Sequence, residues 1–209
     1  MKLYDFSRSS ASFRVRIGLN LKGLGWGSVS VSLPDGAQFA EDYTRVNPQG
    51  RVPTLVDGDT VVYQSMAILE YLDETHPAPA FLPSGAAARA RVRALADIIA
   101  CDIHPLNNLA VLKFLAKELG QDKEAVNVTW YHHWIHEGFK ALEAHLSADR
   151  ETGIFAHGDE PGLADICIVP QVVNAQRYEC DLAPYPTVMR IFNACMALEA
   201  FAAAHPSNQ

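Results

Sequence analysis

Hydrophobic and polar positions alternate with period two in two short stretches near the start of the chain. These are "KLYDF" at 2–6 and "SVSVSL" at 28–33, and the pattern predicts a strand for each. Between them, residues 12–22 carry a helical pattern: Phe13, Ile17 and Leu21 share one side, while Val15 and Leu19 lie opposite. A helix apolar on two sides is expected to be sandwiched, here between a sheet and a second layer. Further on, "RVPTLVDGDTVVYQS" holds two β-rich runs around "DGD", a strong hairpin signal. The hairpin runs into Ser65, the expected N-cap of an apolar helix in "MAILEYL". Pro53, just ahead of a strand, is expected at an edge or after a cis bond.

"HPAPAFLPSG" (76–85), with three prolines and a glycine, reads as a linker. Beyond it period two almost vanishes and helices are predicted over 86–119, 122–147, 164–179 and 186–204. The fold class that follows is an α/β N-terminal domain (1–80) and an all-α C-terminal domain (86–209), without internal repeats.

Composition narrows the function. The 209 residues are 49% hydrophobic and 20% charged, ordinary for a globular protein, with a formal net charge of −7. Such a surface argues against nucleic acid and anionic membranes as partners. The four cysteines lie in apolar surroundings without metal-like spacing and read as buried free thiols of a reducing compartment. "MKLYDFSRSS" has no apolar leader core and no run approaches a membrane span, so a cytoplasmic location is expected. One local feature departs from the acidic average: from Phe6 to Pro34 there is no Asp or Glu, and "RSSASFRVRI" (8–17) sets three serines between two arginines. A helix N-terminus there, with free N–H groups, favours an anion.

The words "RSSASFRVRIGLNLKG", "NPQGRVPTL", "QSMAILEYL", "CDIHPLNNL", "GFKALE" and "LADICIVPQVVNAQRY…DLAPYPTV" span almost the whole chain. Together they resemble the soluble glutathione transferases and, among them, the zeta class of maleylacetoacetate and maleylpyruvate isomerases. The resemblance implies a thioredoxin-like first domain, a helical second domain, a homodimer, and glutathione as cofactor. It implies that Ser9 holds the glutathione thiolate, with Ser10 as a second donor, which lowers the thiol pKa and raises the reactive fraction. It implies a cis bond between Val52 and Pro53, turning the Val52 backbone toward the cysteinyl backbone of glutathione like an added strand. Gln64 and Ser65 would hold the γ-glutamyl carboxylate, and Gln49 would meet the glycine end. His104 and Asn108 would share one face of a helix kinked at Pro105 beside the tripeptide, and Asp102 would reach the glutathione of a partner subunit. Arg8 and Arg177 would grip the carboxylates of a small anionic dicarboxylate, with Arg8 counted beside the serines as catalytic. Arg14 and Arg16, inside the helix, read as structural or solvated.

The implied reaction is cis–trans isomerisation of a maleyl keto-dicarboxylate in aromatic catabolism. A thiolate adds to the activated alkene, the resulting single bond rotates, and elimination returns the thiol. Two other readings use the same fold: a transferase conjugating or dehalogenating small α-haloacids, and a non-catalytic binding module. The chain departs from the family in three places. Ala11 stands where cysteine is common, and neither Leu109 nor Ala110 supplies the arginine some maleylpyruvate isomerases carry nearby. Gly162 takes the hydroxyl position of a capping box whose Asp165 remains, at a cost of a few tenths of a kcal/mol. His132 and His136 have the i, i+4 spacing of a helical metal pair, but no third ligand follows, so no metal is expected.

Overall fold

The computed structural model describes Met1–Gln209 and divides into two compact units, Met1–Phe81 with Ala197–Gln209, and Leu82–Met196. The second unit begins four residues ahead of the expected 86. The last thirteen residues, expected in the helical domain, belong instead to the first unit.

The first unit is built on a four-stranded mixed sheet in the order β2-β1-β3-β4. Strand β1 (Lys2–Asp5) pairs in parallel with β2 (Gly27–Ser30) and antiparallel with β3 (Thr54–Asp57), which forms the hairpin with β4 (Thr60–Tyr63). The DGD turn thus lies where period two and turn chemistry put it. β2 is shorter than the alternation predicts and exposed along its length, as an edge strand can be; Val31, just beyond it, is buried with Tyr43 and Val52. Helix α1 (Ser10–Leu21) connects β1 to β2. A short helix, α2 (Glu41–Thr44), was not legible in the pattern, and α3 (Ser65–Thr75) follows the hairpin.

Both apolar sides of α1 are used: Phe13, Val15, Ile17 and Leu19 are all buried. Gly18 allows α1 and α3 to approach closely, since a Cβ there would lie 2.4 Å from the Leu69 side chain. The partner not foreseen is α9 (Glu199–Ala204), which packs on α1. It is tied there by Asn20 Nδ2 donating to the Ala200 carbonyl at 2.9 Å and Arg16 Nε donating to the Ala204 carbonyl at 3.0 Å. Arg16 is fully buried and also donates to both Asp5 carboxylate oxygens, at 2.9 and 2.8 Å, and to the Ser7 carbonyl at 2.9 Å. A buried guanidinium satisfied on every side is a structural element, because removing its partner would strand a charge.

The second unit contains α4 (Ala86–Asp97), continued by a widened π-type turn (Ile98–Ile103), then α5 (Leu109–Lys117), a second π-type turn (Ala125–Trp130), α6 (Tyr131–Ala148), α7 (Leu163–Arg177) and α8 (Pro186–Met196). The predicted helix over 86–119 is therefore interrupted at 104–108, and the one over 186–204 breaks before α9. The core lies where α7 meets α4 and α8, and where α6 meets α8 and the first π-type turn. Gly138 makes the last contact possible, because a Cβ there would fall 2.2 Å from Ile103. Cys167, Cys180 and Cys195 are buried free thiols; Cys101, expected to be buried, is exposed. No helix is long and apolar enough to cross a membrane.

Candidate active site

Within the first unit the candidate residues gather at three places: the head of α1, the loop 47–53 and the head of α3. Ser9 is the N-cap of α1, with extended backbone, and its Oγ accepts the Ser12 N–H at 3.2 Å. A hydroxyl that accepts through a lone pair keeps its own proton to donate. Ser9 is partly exposed, so that donor is available, whereas Ser10 is buried. Capping and anion binding are thus compatible in one side chain.

The three arginines of the acid-free stretch part company. Arg8 is exposed. Arg14 is buried and its Nη1 donates to Ser65 Oγ at 3.2 Å. Arg16 is neutralised by Asp5, one residue before the stretch begins. Lys22, near the helix end, pairs with Asp73 at 2.7 Å and lies 4.1 Å from the Phe81 ring centroid. Most of the local positive charge therefore serves packing, and Arg8 is the arginine of this segment left at the surface.

Loop 47–51 is fastened by buried Asn47, whose Nδ2 donates to the Arg51 carbonyl at 2.9 Å and to Thr54 Oγ1 at 3.0 Å, while its Oδ1 accepts the Gln49 N–H at 3.1 Å. The Tyr43 hydroxyl also donates to the Arg51 carbonyl, and burial raises its pKa. None of these bonds uses the Val52 backbone. The Val52–Pro53 bond is cis. Exposed Gln49 and Gln64 are joined, Gln64 Nε2 donating to Gln49 Oε1 at 2.7 Å. Gln64, rather than the expected Ser65, is the N-cap of α3; Ser65 is its first residue. Gln64 has φ +73, a left-handed value uncommon for a residue with a side chain, and makes no side-chain cap bond. The Gln64 side chain does not cap α3, and a helix N-terminus of this kind suits a carboxylate.

In the second unit, His104 and Asn108 do not share a helical face. Pro105 has no N–H to continue the helix, and the chain turns over 104–108. Asn108 is instead the N-cap of α5: its Oδ1 accepts from Ala110 N at 2.9 Å and Val111 N at 3.2 Å, and its Nδ2 donates to the Pro105 carbonyl at 2.7 Å. The turn is held by Asn107 Nδ2 donating to the Tyr131 carbonyl and Trp130 Nε1 donating to the Leu106 carbonyl, each at 3.0 Å. Asp102 is exposed, at the end of the π-type turn, and His104 half-buried. Arg177 is exposed in the last turn of α7. The imidazoles of His132 and His136 are committed to different partners, the Tyr178 carbonyl and the Tyr185 hydroxyl, each at 2.7 Å. Two residues the sequence reading missed organise these places, Asn47 and Asn107. An Asn flanked by loop signals ("VNPQG", "PLNNL") was the available hint.

Residues 8–75 match the family model described as "Glutathione S-transferase, N-terminal domain". A maleylpyruvate isomerase of Ralstonia sp is 46% identical over 209 residues, covering all of this chain and 98% of that one. Among solved structures, a holo maleylpyruvate isomerase, described as a bacterial glutathione transferase of the zeta class, superposes with a TM-score of 0.98 at 46% identity, covering 100% of this chain and 98% of that one. The maleylacetoacetate isomerase of Methylobacterium extorquens AM1, with bound malonate and glutathione, gives 0.97 at 43%, with the same coverage. The chain belongs to the glutathione transferase family. Within that family its place is the zeta class, with a thioredoxin-like first domain and a helical second one.

Proposed function

We propose that the protein is a glutathione-dependent cis–trans isomerase of a maleyl keto-dicarboxylate, either maleylpyruvate or maleylacetoacetate. The observation that carries this reading is the head of α1. There Ser9 keeps a hydroxyl proton free to donate while Arg8 stays exposed beside it, although Arg14 and Arg16 are buried. The similarity to isomerases of both substrates, one of them holding glutathione and a dicarboxylate, supports it.

The residues present fit glutathione. The N-terminus of α3 and the linked Gln49–Gln64 pair suit the ends of a short anionic peptide, and the Val52 backbone beside its cis bond suits the extended middle. When bound, glutathione supplies a thiolate that adds reversibly to the conjugated alkene and so frees the bond to rotate. Ser9 contributes a hydrogen bond favouring the ionised thiol, which raises the reactive fraction near neutral pH. Ser10, buried beside Ser9, is the second donor of this reading. Arg8 and Arg177 bind substrate carboxylates as planar, permanently charged partners, and hold the alkene for attack. Asp102, His104 and Asn108 belong to the same reading, with Asn108 acting through the start of α5. A homodimer working in the cytoplasm is part of it too.

The test is an absorbance assay of the purified protein with maleylpyruvate and with maleylacetoacetate, with and without catalytic glutathione. The expected outcome is conversion to the fumaryl isomer with all thiol recovered. Thiol consumption without isomerisation of either substrate would overturn the reading in favour of conjugation.

A further inference from the structure

The C-terminal turn of α7 is held more firmly than a helix end requires. Tyr178 is the C-cap. Glu179 follows with φ +57, the left-handed region usually given to glycine. Its N–H donates to the Gln176 carbonyl at 3.0 Å, and the Cys180 N–H donates to the Ala175 carbonyl at 2.9 Å. This is a Schellman motif, closed over buried Ala175 and Cys180. A side chain in that conformation costs on the order of 1 kcal/mol, so other contacts must favour the turn.

The start of α6 supplies two. His132 Nε2 lies 2.7 Å from the Tyr178 carbonyl. A carbonyl only accepts, so Nε2 carries the hydrogen. The Tyr131 ring stacks on the Tyr178 ring, with centroids 3.8 Å apart and planes within 13°. Tyr131 is itself fixed: its ring is buried and its carbonyl accepts from Asn107. The residue next to this clamp is Arg177.

We propose that His132 is a positioning residue for the isomerase reaction: by holding the Tyr178 carbonyl it fixes the turn from which Arg177 reaches a substrate carboxylate. This rests on the reading of Arg177 given above. A guanidinium discriminates by direction as well as charge, because its bidentate pairing lies in one plane. Its long side chain can use that plane only if the backbone beneath it is fixed, and displacements near 1 Å can cost large factors in rate. The i, i+4 spacing of His132 and His136 then has a use other than metal binding. Each imidazole ties α6 to a different segment, one at the end of α7 and one just before α8.

The experiment compares H132A, H132Q, R177A and the H132A/R177A double variant with the full-length protein. It measures kcat and KM for maleylpyruvate, KM for glutathione, and Tm. R177A is expected to raise the substrate KM about tenfold or more, and H132A about fivefold, with KM for glutathione unchanged. H132Q, whose amide N–H can donate in place of Nε2, should return the substrate KM to within about twofold of wild type. In the R177A background, H132A should add less than about twofold, because no guanidinium remains to be misdirected. If R177A raises KM while H132A does not, or if the two effects multiply, the positioning role is overturned and the assignment of Arg177 stands. If R177A itself leaves KM unchanged, the Arg177 assignment falls and takes this inference with it. A low Tm for H132A with normal KM on the folded fraction would make His132 purely structural, and would also overturn the proposal.

Discussion

The heads of α1 and α7 are two solutions to one problem, how to satisfy the first N–H groups of a helix, and they are solved in opposite ways. At α7 the acceptor is Asp165, itself buried, whose Oδ2 takes the N–H of the N-cap Gly162 and whose Oδ1 takes the N–H of Ala156 in the preceding loop, both at 2.9 Å. That head is closed to solvent, with Leu163, Ala164 and Asp165 all buried. At α1 the acceptor is Ser9, partly exposed, taking one N–H at 3.2 Å and keeping a donor of its own. That head is open. A carboxylate accepts and cannot donate, so it completes a core; a hydroxyl does both, so it can cap a helix and still serve a ligand. The same local device is therefore buried in one unit and leaves a donor exposed in the other.

Breaking the closed head should give the largest effect on stability. Asp165→Ala leaves two buried N–H groups without acceptors and should cost about 3 kcal/mol. For a chain of this size that lowers Tm by roughly 6–12 °C, read by calorimetry. The effect should depend on pH in a definite sense. Burial pushes the Asp165 carboxyl up to about 6, against backbone hydrogen bonds that lower it. A folded pKa above the unfolded one means the native state binds the extra proton. The stability this contributes is full below about 4 and is lost as pH rises through 6. The gap between wild type and Asp165→Ala should therefore be wider at pH 4.5 than at pH 7.5, and a gap that widens with rising pH would contradict the shift.

Breaking the open head should separate stability from activity. Ser9→Ala removes one partly buried cap bond, worth about 1 kcal/mol. It also removes the donor proposed for the thiolate, which should lower kcat about a hundredfold, or about 2.7 kcal/mol in the barrier. Tm would fall by only a few degrees. Near-normal turnover would move the donor role to Ser10, whose buried side chain would then have to reorient.

Much of the first unit was legible because its signals are local. Period two found β1, the β-rich runs around DGD found the hairpin and its turn, and the double apolar stripe found α1 with its two packed sides. What failed was non-local. α9 returns to α1 because Arg16 and Asn20 find carbonyls there, and nothing in the sequence spacing marks that. Residues 104–108 kept a helical rhythm, yet Pro105 lacks an N–H and Asn108 gains more as a cap than inside a helix, so the expected His104–Asn108 face does not exist. The site shows the same division. Ser9 was readable as a cap. Arg14 and Arg16, read as structural or solvated, are buried, and Asp5, just outside the acid-free stretch, holds Arg16, while Arg8 stays exposed. Gln64 took the cap expected of Ser65 with a positive φ, which residue preference does not favour.

The smallest predicted effect sharpens the contrast from the closed side. Gly162 has an extended backbone, φ −133, which any residue can adopt, and with no side chain it cannot return the bond that Asp165 makes to it. Gly162→Ser would supply the missing acceptor for the Asp165 N–H and complete the reciprocal box. The expected gain is a few tenths of a kcal/mol, a rise of about 1 °C in Tm, with kcat and KM unchanged. The gain should be confined to a protein that keeps Asp165. In the Asp165→Ala background the new hydroxyl faces a turn already missing its carboxylate, and the two substitutions should depart from additivity, as neighbours sharing one network do. Additive effects there would mean that the two halves of the box act independently, and that the α7 head is closed by Asp165 alone.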